Sequence, residues 1–202
     1  MSSILTGEVF TPDFQAGGHL YFNDSRPIPS VSRILRPLTQ AVYGAIDPAV
    51  LQRAADFGTA VHSCTELLDE DDLDEGSVAP EWRPYLDAYR AWKRDMRPEI
   101  DAIELRLACA KYAGTLDRLC RIDGDHWVVD LKTTSEIHPH VGVQLAAYEA
   151  LASAKFGHSY RRAAVQLRAD GTYRFKEFKK HSDETCFSAL LGIYYWGQTN
   201  GY

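Results

Sequence analysis

Apolar residues recur along this chain with two periods, one typical of helices and one typical of strands. In several segments they return at every third or fourth position, which places them on one face of a helix. Ser30 or Ser32 is expected to cap the first helix, which stops near Pro37, and Ser182 to cap the last. The segments with this period predict helices over 31–38, 48–68, 80–96, 139–156 and from 182 onwards.

Between the helices the period changes to two, which is typical of β-strands. Asp123-Gly124 and Asp170-Gly171 each lie between two such runs, and Asp-Gly is a strong hairpin signal. The order of the elements predicts an α/β fold with a central mixed β-sheet flanked by α-helices. The predicted strands lie within 104–109 and over 115–122, 126–133, 161–167 and 172–178, with a short one at 19–22.

The hairpin at Asp123-Gly124 determines which side chains face each other. A two-residue loop sets Asp117 opposite Asp130, with Cβ atoms about 4.5–5.5 Å apart, and places Lys132 on the same face as Asp130. Because facing carboxylates repel, we interpret them as ligands of a divalent cation, with Lys132 stabilising an attacking hydroxide or a developing phosphoryl charge. The alternative is a surface hairpin with an Asp–Lys pair. The apolar run 127–129 favours an interior strand, where unpaired charges are costly.

A second candidate group lies on the 48–68 helix. His62 and Glu66 are four residues apart and therefore share a face, and Gly58 lies one turn earlier on that face. The small glycine leaves room for a ligand to approach the backbone. One interpretation makes His62 a metal ligand supported by Glu66, and the other makes it a histidine in an ordinary polar contact.

Three further polar side chains are candidates of a weaker kind. Gln144 and Tyr148 share a face of the 139–156 helix, where they either approach a ligand or pack on the sheet. Glu104 begins the strand before the hairpin. It is interpreted either as a carboxylate that supports the metal ligands from behind or as an ordinary charge at a sheet edge.

The composition is that of an ordinary globular domain, with 202 residues, 45% hydrophobic and 25% charged. We expect one domain over 1–202, with an N-terminal accessory segment over 1–47 and a core over 48–202. No apolar run reaches the roughly 18 residues of a membrane span, and the first residues resemble neither a signal nor a transit peptide. None of the four cysteines lies in a Cys-x-x-Cys pair. A reduced, cytoplasmic setting without a zinc ribbon is therefore expected.

The net charge of −6 is unevenly distributed. Segment 66–75 holds seven acidic residues and no basic one, whereas 155–180 holds eight basic residues against two acidic ones. The basic segment suits either a bound polyanion or a solvated sheet face. The candidate phosphate contacts are Arg161 and Arg162 in this segment, and Arg33 and Arg36 among the prolines near the N-terminus.

Four motifs occur in a characteristic order: Gly58-x-x-x-His62, Ala-Gly-Thr-Leu-Asp at 113–117, Val-Val-Asp-Leu-Lys-Thr-Thr at 128–134, and Gln144-x-x-x-Tyr148. In this order they resemble the RecB-like nucleases of the PD-(D/E)XK superfamily, over roughly residues 55–150. The resemblance implies a restriction-endonuclease-like core in which Gln144 and Tyr148 lie near the nucleic acid. It further implies one or two Mg²⁺ or Mn²⁺ ions bound by His62, Asp117, Asp130 and the backbone carbonyl of Leu131, with Lys132 and both aspartates as catalytic residues.

The chain also departs from common members of that family. Its second acid is Asp130 rather than the commoner Glu, and only Cys186 lies near the C-terminus, so no iron–sulfur cluster is expected. The leading hypothesis is a metal-dependent exonuclease that degrades DNA from its ends in recombination or repair, in a bacterial or phage-infected cell. A single-strand annealing protein or another recombination protein is the candidate partner. The alternatives are a non-catalytic module that binds DNA ends on the same fold, and a site-specific endonuclease.

Overall fold

Two β-sheets and two layers of helices make up the part of the chain that the computed structural model describes, residues 7–16 and 20–201. In chain order the elements are β1 (Asp13–Gln15), β2 (Leu20–Asn23), β3 (Arg26–Ile28), α1 (Val31–Ile34), α2 (Arg36–Tyr43), α3 (Pro48–Asp69), α4 (Arg83–Met96), β4 (Glu99–Ala108), β5 (Ala113–Ile122), β6 (Asp125–Lys132), α5 (His140–Phe156), β7 (Arg161–Leu167), β8 (Tyr173–Phe178) and α6 (Ser182–Asn200).

The central sheet contains β4 to β8, with the strands side by side in chain order. Three of its four pairings are antiparallel, and β6 pairs with β7 in parallel. A parallel pair needs a crossover connection, and α5 provides it. The predicted mixed sheet with flanking helices is therefore confirmed.

The hairpin between β5 and β6 has the predicted register. Ile122 pairs with Asp125 and Arg118 with Val129, as a two-residue loop requires. Both loop residues have positive φ, +52° at Asp123 and +83° at Gly124, which is the backbone of a tight hairpin turn matched to the twist of the strands. The Asp-Gly between β7 and β8 also lies in a hairpin, with a longer loop over 168–172.

The helices cover both faces of the central sheet. The core on one face packs α1, α5 and α6 against the sheet, and the core on the other face packs α3 and α4. Helix α4 carries aromatic side chains along one face. They pack in the second core, where Tyr89 and Trp92 are fully buried. Along β6, Val128 lies in the first core whereas Val129 and Leu131 lie in the second, as the two-residue period of a strand dictates.

The N-terminal segment forms the small antiparallel sheet β1–β2–β3. Bridges from Phe10 to Ala108 and from Ser30 to Ala113 attach it to the central sheet near β4 and β5. The strand predicted at 19–22 corresponds to β2, although His19 lies outside the described residues. Ser30 caps α1 as one of the two predicted candidates, because its Oγ accepts the N–H of Arg33 at 3.1 Å.

Two predicted helix boundaries are wrong. Pro37 does not stop the first helix; it lies in the first turn of α2, where its missing N–H costs nothing. Ser182 is the first helical residue of α6 rather than its cap, and His181 takes the capping position without a side-chain hydrogen bond. Among the described residues, no helix is long and apolar enough to span a membrane.

Candidate active site

Three acidic residues form a row across adjacent strands of the central sheet. The register of β4 on β5 sets Glu104 opposite Asp117, and the register of β5 on β6, continued by one residue, sets Asp117 beside Asp130. The Asp117 Oδ2 atom accepts the backbone N–H of Leu131 at 2.7 Å, which fixes the carboxylate at the end of the ladder. Like charges on neighbouring strands destabilise a sheet. Such a row therefore requires compensation.

Glu104 interrupts the regular backbone of β4. Its φ is +44°, in the left-handed region that residues with a side chain rarely adopt. Holding a non-glycine residue there costs on the order of 1–3 kcal/mol, and such residues cluster at functional sites. The strain points to a functional reason for the position of this carboxylate.

His62 reaches the same place from α3. Its Nε2 lies 3.1 Å from the carbonyl oxygen of Leu131, and because a carbonyl only accepts, Nε2 carries the proton. The other ring nitrogen, Nδ1, lies 3.7 Å from Oδ2 of Asp117. Two electron-rich atoms this close are stable together when a cation lies between them or the ring is protonated.

Asp130 and Lys132 form a buried ion pair next to this group. The Lys132 Nζ lies 2.7 Å from Oδ2 of Asp130, and only 2% of the Asp130 side chain is exposed. Burial raises the pKa of Asp130, although the charge of Lys132 opposes the shift. Burial lowers the pKa of Lys132, and the attraction of Asp130 outweighs that effect, so the lysine pKa is raised and the lysine stays charged at neutral pH.

The donor atoms fit a divalent cation. Ligand atoms of His62, Glu104 and Asp117 all lie within 4.8 Å of one another. Oε1 of Glu104 is buried without a hydrogen-bond partner among the described residues, and a buried carboxylate oxygen of this kind is costly unless something binds it. Burial, reinforced by the charge of Asp117, raises the pKa of Glu104. Two carboxylates and an imidazole are ligands that Mg²⁺ or Mn²⁺ accept.

The ligand group differs in two members from the sequence-based expectation. Glu104, expected behind the ligands or at an edge, lies in the group itself, because the sheet register and its unusual φ turn it towards Asp117. Asp130, expected as a ligand, pairs with Lys132 and lies outside this group of three, and its role as a ligand stays a prediction. The Leu131 carbonyl lies at the site, where it accepts from His62. Glu66 lines the same cleft and contributes a negative charge near Glu104.

Arg118 lies behind the row and was not singled out from the sequence. Its guanidinium is fully buried and donates to Asp69 at 2.8 Å, to Tyr89 at 3.2 Å and to Thr65 at 3.1 Å. Another of its N–H groups donates to the backbone carbonyl of Asp117 at 2.7 Å, and Glu104 lies 3.8 Å away. The buried cation thus ties α3, α4 and β5 together beneath the acidic row. The sequence held one signal for this arginine, because the hairpin register places it on the apolar face of the sheet.

Gln144 and Tyr148 lie on one face of α5, as predicted. The Gln144 amide donates to the Tyr148 hydroxyl at 3.1 Å, and Tyr148 lines the cleft. A Cβ at Gly114 would come within 2.5 Å of the Tyr148 ring, so the glycine of the 113–117 motif makes room for this tyrosine. Gly58 has a related role, because a Cβ there would come 3.3 Å from the Thr133 hydroxyl.

The site opens into a cleft of about 610 Å³ between the N-terminal segment, α3 and the central sheet. Tyr21, Ser30 and Ser32 line it from the N-terminal segment, and the Tyr21 hydroxyl lies 2.8 Å from Thr115 Oγ1. Lys132 lines it from β6. The cleft is therefore open, and polar side chains line much of it.

The predicted phosphate-binding arginines have different surroundings. Arg162 is only 6% exposed and donates to the carbonyl of Lys180, so the structure does not bring it to the cleft, and its contact with phosphate stays a prediction. Arg161 is exposed but pairs with Asp125 and Glu177 at the end of the sheet away from Lys132, so the structure does not bring it to the cleft. Part of the basic segment is thus paired with neighbouring acids.

Arg33 and Arg36, the other two predicted contacts, are exposed on α1 and α2. They border a separate groove beside α6, where the guanidinium of Arg33 lies 6.0 Å from the centre of the Tyr194 ring. Ser30 and Ser32, which line the cleft, lie just before Arg33 in the chain. The contact of Arg33 and Arg36 with nucleic acid stays a prediction.

Comparison with known families agrees with this geometry. The family model of the PD-(D/E)XK nuclease superfamily matches residues 35–190. The chain belongs to this superfamily. The mixed sheet with flanking helices is accordingly its restriction-endonuclease-like core, and nucleases of the superfamily use divalent metal ions. No curated protein matches the chain.

The ligand group predicts a metal-dependent change in stability. A cation that binds only the folded chain raises the melting temperature, and the stabilisation grows as RT ln(1 + [L]/Kd). We expect Mg²⁺ or Mn²⁺ to raise the melting temperature of the native protein, and Asp117→Asn to remove most of this shift. In chelator the same variant should melt higher than the native protein, because Asn keeps an acceptor for Leu131 and removes the repulsion with Glu104.

Thermal melts of both proteins and of Asp101→Asn measure this. Asp101 lies on β4 like Glu104, but it pairs with Arg121 away from the site, so its variant should keep the full metal shift. The ligand group would be ruled out if neither ion changed the melting temperature of the native protein and isothermal calorimetry detected no binding of either ion.

Proposed function

We propose that this protein is a Mg²⁺- or Mn²⁺-dependent deoxyribonuclease that hydrolyses phosphodiester bonds from DNA ends. The main support is the acidic row Glu104–Asp117–Asp130 with His62 above it and the ion-paired Lys132 beside it, at an open cleft. Membership of the nuclease superfamily supports hydrolysis of nucleic acid. The preference for ends, the identity of the ion and a role in recombination or repair are parts of the proposal.

The chain's own groups divide the chemistry between them. His62, Glu104 and Asp117 would hold the cation, which when bound activates water and neutralises charge on the phosphate. Asp130 keeps Lys132 protonated and holds its ammonium at the edge of the cleft. From there Lys132 stabilises negative charge as it develops on the phosphate oxygens.

The arrangement favours an enzyme over a module that only binds DNA ends. A binding surface for phosphate gains from positive charge, yet the floor of this cleft carries buried carboxylates, and Oε1 of Glu104 has no hydrogen-bond partner among the described residues. Such a group costs on the order of 1–3 kcal/mol when it is left unsatisfied. Binding of a catalytic cation by the carboxylates would offset this cost.

The preference for ends is supported by the walls of the cleft. Tyr21 and Ser30 of the N-terminal segment and Gly58 of α3 line the same opening, so a strand would enter between two structural elements. Sequence-specific cutting would need several base contacts, each worth about 1–3 kcal/mol of discrimination. The cleft lining is short of the long donor side chains that read base edges. We further propose a single-strand annealing protein or another recombination protein as partner, on the resemblance to RecB-like nucleases alone.

The test compares a covalently closed DNA circle with the same DNA linearised, each incubated with Mg²⁺ or Mn²⁺. We expect rapid loss of the linear DNA, survival of the circle, and no reaction in chelator. The Asp117→Asn protein, purified in parallel, controls for contaminating nucleases. Discrete fragments from the circle would instead establish an endonuclease, and tight binding of linear DNA without any cleavage would establish an end-binding module.

A further inference from the structure

Three ring side chains form a cluster just beyond the catalytic cleft. Tyr43 ends α2, His138 lies in the loop after β6, and His140 begins α5. The Tyr43 ring centre lies 5.5 Å from that of His138 and 5.7 Å from that of His140, edge to face in both cases. The two imidazoles stack with their centres 5.9 Å apart and their planes 15° apart. All three residues are partly exposed.

The cluster is continuous with residues that line the site. His140, Gln144 and Tyr148 lie four residues apart and so form one row along α5. Tyr148 lines the cleft, and His140 lies about 12 Å farther along the helix axis. The positive charge of Lys132 interacts electrostatically with both His140 and Tyr43. These three residues of α5 therefore extend from the acidic site to the ring cluster.

The loop that carries His138 is held in place by polar side chains of the neighbouring strands. Gln166, itself 3% exposed, donates to the carbonyls of Thr134 and Ser135 at 2.8 Å each. Lys176 donates to the carbonyl of Ile137 at 3.0 Å. Three hydrogen bonds to backbone carbonyls fix the loop and with it the His138 ring. A ring that is already fixed loses little conformational entropy on binding, which favours a binding role.

The chemistry of the rings selects the ligand. Burial, together with the positive charge of Lys132, lowers the pKa of His140 and so favours its neutral ring. Uncharged rings such as those of Tyr43 and His140 are poor partners for phosphate, but they stack on nucleobases, and such stacking is worth about 1–3 kcal/mol per base.

We propose that Tyr43, His138 and His140 form a subsite that stacks an unpaired nucleobase of the strand being cut, on the Lys132 side of the cleft. This inference rests on the proposed nuclease function and extends it to the state of the substrate, because a stacked base has to be unpaired. The subsite grips the strand without reading its sequence.

The experiment uses single-stranded oligonucleotides in which one nucleotide at a time is replaced by an abasic analogue. For the native protein we expect KM to rise about tenfold when the abasic unit occupies the subsite, with little change at neighbouring positions. His138→Ala and Tyr43→Ala should raise KM on intact DNA by a similar factor and lose the sensitivity to that position, with kcat kept. Tyr43→Phe, which keeps the ring, should behave like the native protein.

The chain offers a matched control. His126, His158 and Tyr160 form a second cluster of two imidazoles and a phenol, with the His126 and His158 rings stacked at 4.3 Å, at the opposite end of β6 from Lys132. His158→Ala should leave KM unchanged on every substrate. Folding of each variant is checked by its melting temperature, and Tyr43→Phe and His138→Ala suffice if Tyr43→Ala does not fold.

Two outcomes would overturn the subsite. One is a KM for His138→Ala, and for Tyr43→Ala where it folds, equal to that of the native protein together with no abasic position that matters. The other is an abasic penalty that persists in full in the variants. Fluorescence anisotropy of the same oligonucleotides in Ca²⁺ gives the corresponding dissociation constants. A protein that cuts no DNA would refute the proposed function, and the anisotropy series would still decide the subsite.

Discussion

Replacing Lys132 with methionine should lower the rate of DNA cleavage by about a hundredfold or more, the usual loss when one electrostatic group is removed from an active site. Lys132 lines the cleft, and its ammonium is held 2.7 Å from Asp130, next to the acidic row. In the proposed mechanism its charge acts on the reacting phosphate and contributes little to binding the rest of the DNA. We expect kcat to fall while the dissociation constant for DNA stays within about threefold, a change of under 1 kcal/mol.

The variant should remain folded for a specific reason. Burial already raises the pKa of Asp130 to about 6, and loss of the lysine raises it further, so the carboxyl becomes neutral rather than a buried unpaired charge. Lys179→Met is the matched control, since Lys179 is exposed and pairs with Glu177 at the end of β8. Single-turnover cleavage and anisotropy measure the two constants. A Lys132→Met protein that cuts at the native rate would remove the lysine from the mechanism.

The β5–β6 hairpin shows how much of the site the sequence predicts. Asp123-Gly124 fixes a two-residue turn, and the turn fixes the register, so the proximity of Asp117 to Asp130 and the shared face of Asp130 and Lys132 follow from local rules. The helical spacing likewise gave the face shared by Gln144 and Tyr148. These relations depend on residues close in the chain.

Glu104 shows what the sequence does not predict. Its role depends on the register of β4 on β5, which has no tight turn to fix it and which shifts between Ile100 and Ala102. Its positive φ has no sequence signature in a residue other than glycine or asparagine. The burial of Arg162 was missed for a similar reason: a basic run in the sequence does not reveal which side chains turn inwards to bind carbonyls such as that of Lys180.

Arg118 combines both situations, because its face follows from the hairpin while its partners come from distant helices. Asp69 of α3 accepts from Arg118, from Lys93 at 2.6 Å and from the Tyr89 hydroxyl. The Asp69 carboxylate is 2% exposed, and the Arg118 side chain is not exposed at all. Asp69, the last residue of α3 and a member of the acidic segment 66–75, therefore helps to close the core.

Arg118→Met should lower the free energy of unfolding by about 3–5 kcal/mol, since removing one partner of a buried ion pair leaves the other charge unpaired. Among the described residues, Asp69 would then keep only Lys93 as a cationic partner, while the Tyr89 hydroxyl still donates to it. Arg121→Met is the matched control on the same strand, and because its pairs with Glu99 and Asp101 are exposed, its loss should cost under about 1 kcal/mol.

A compensating variant separates charge burial from simple loss of packing. Arg118→Met combined with Asp69→Leu removes both buried charges and frees Lys93, whose side chain is 35% exposed, to reach water. Apolar replacement of a whole buried pair is often close to neutral, so the double variant should recover most of the stability lost by Arg118→Met. Urea denaturation of the three variants and the native protein measures the differences. If Arg118→Met costs no more than Arg121→Met, the buried network does not hold α3, and with it His62, against the sheet.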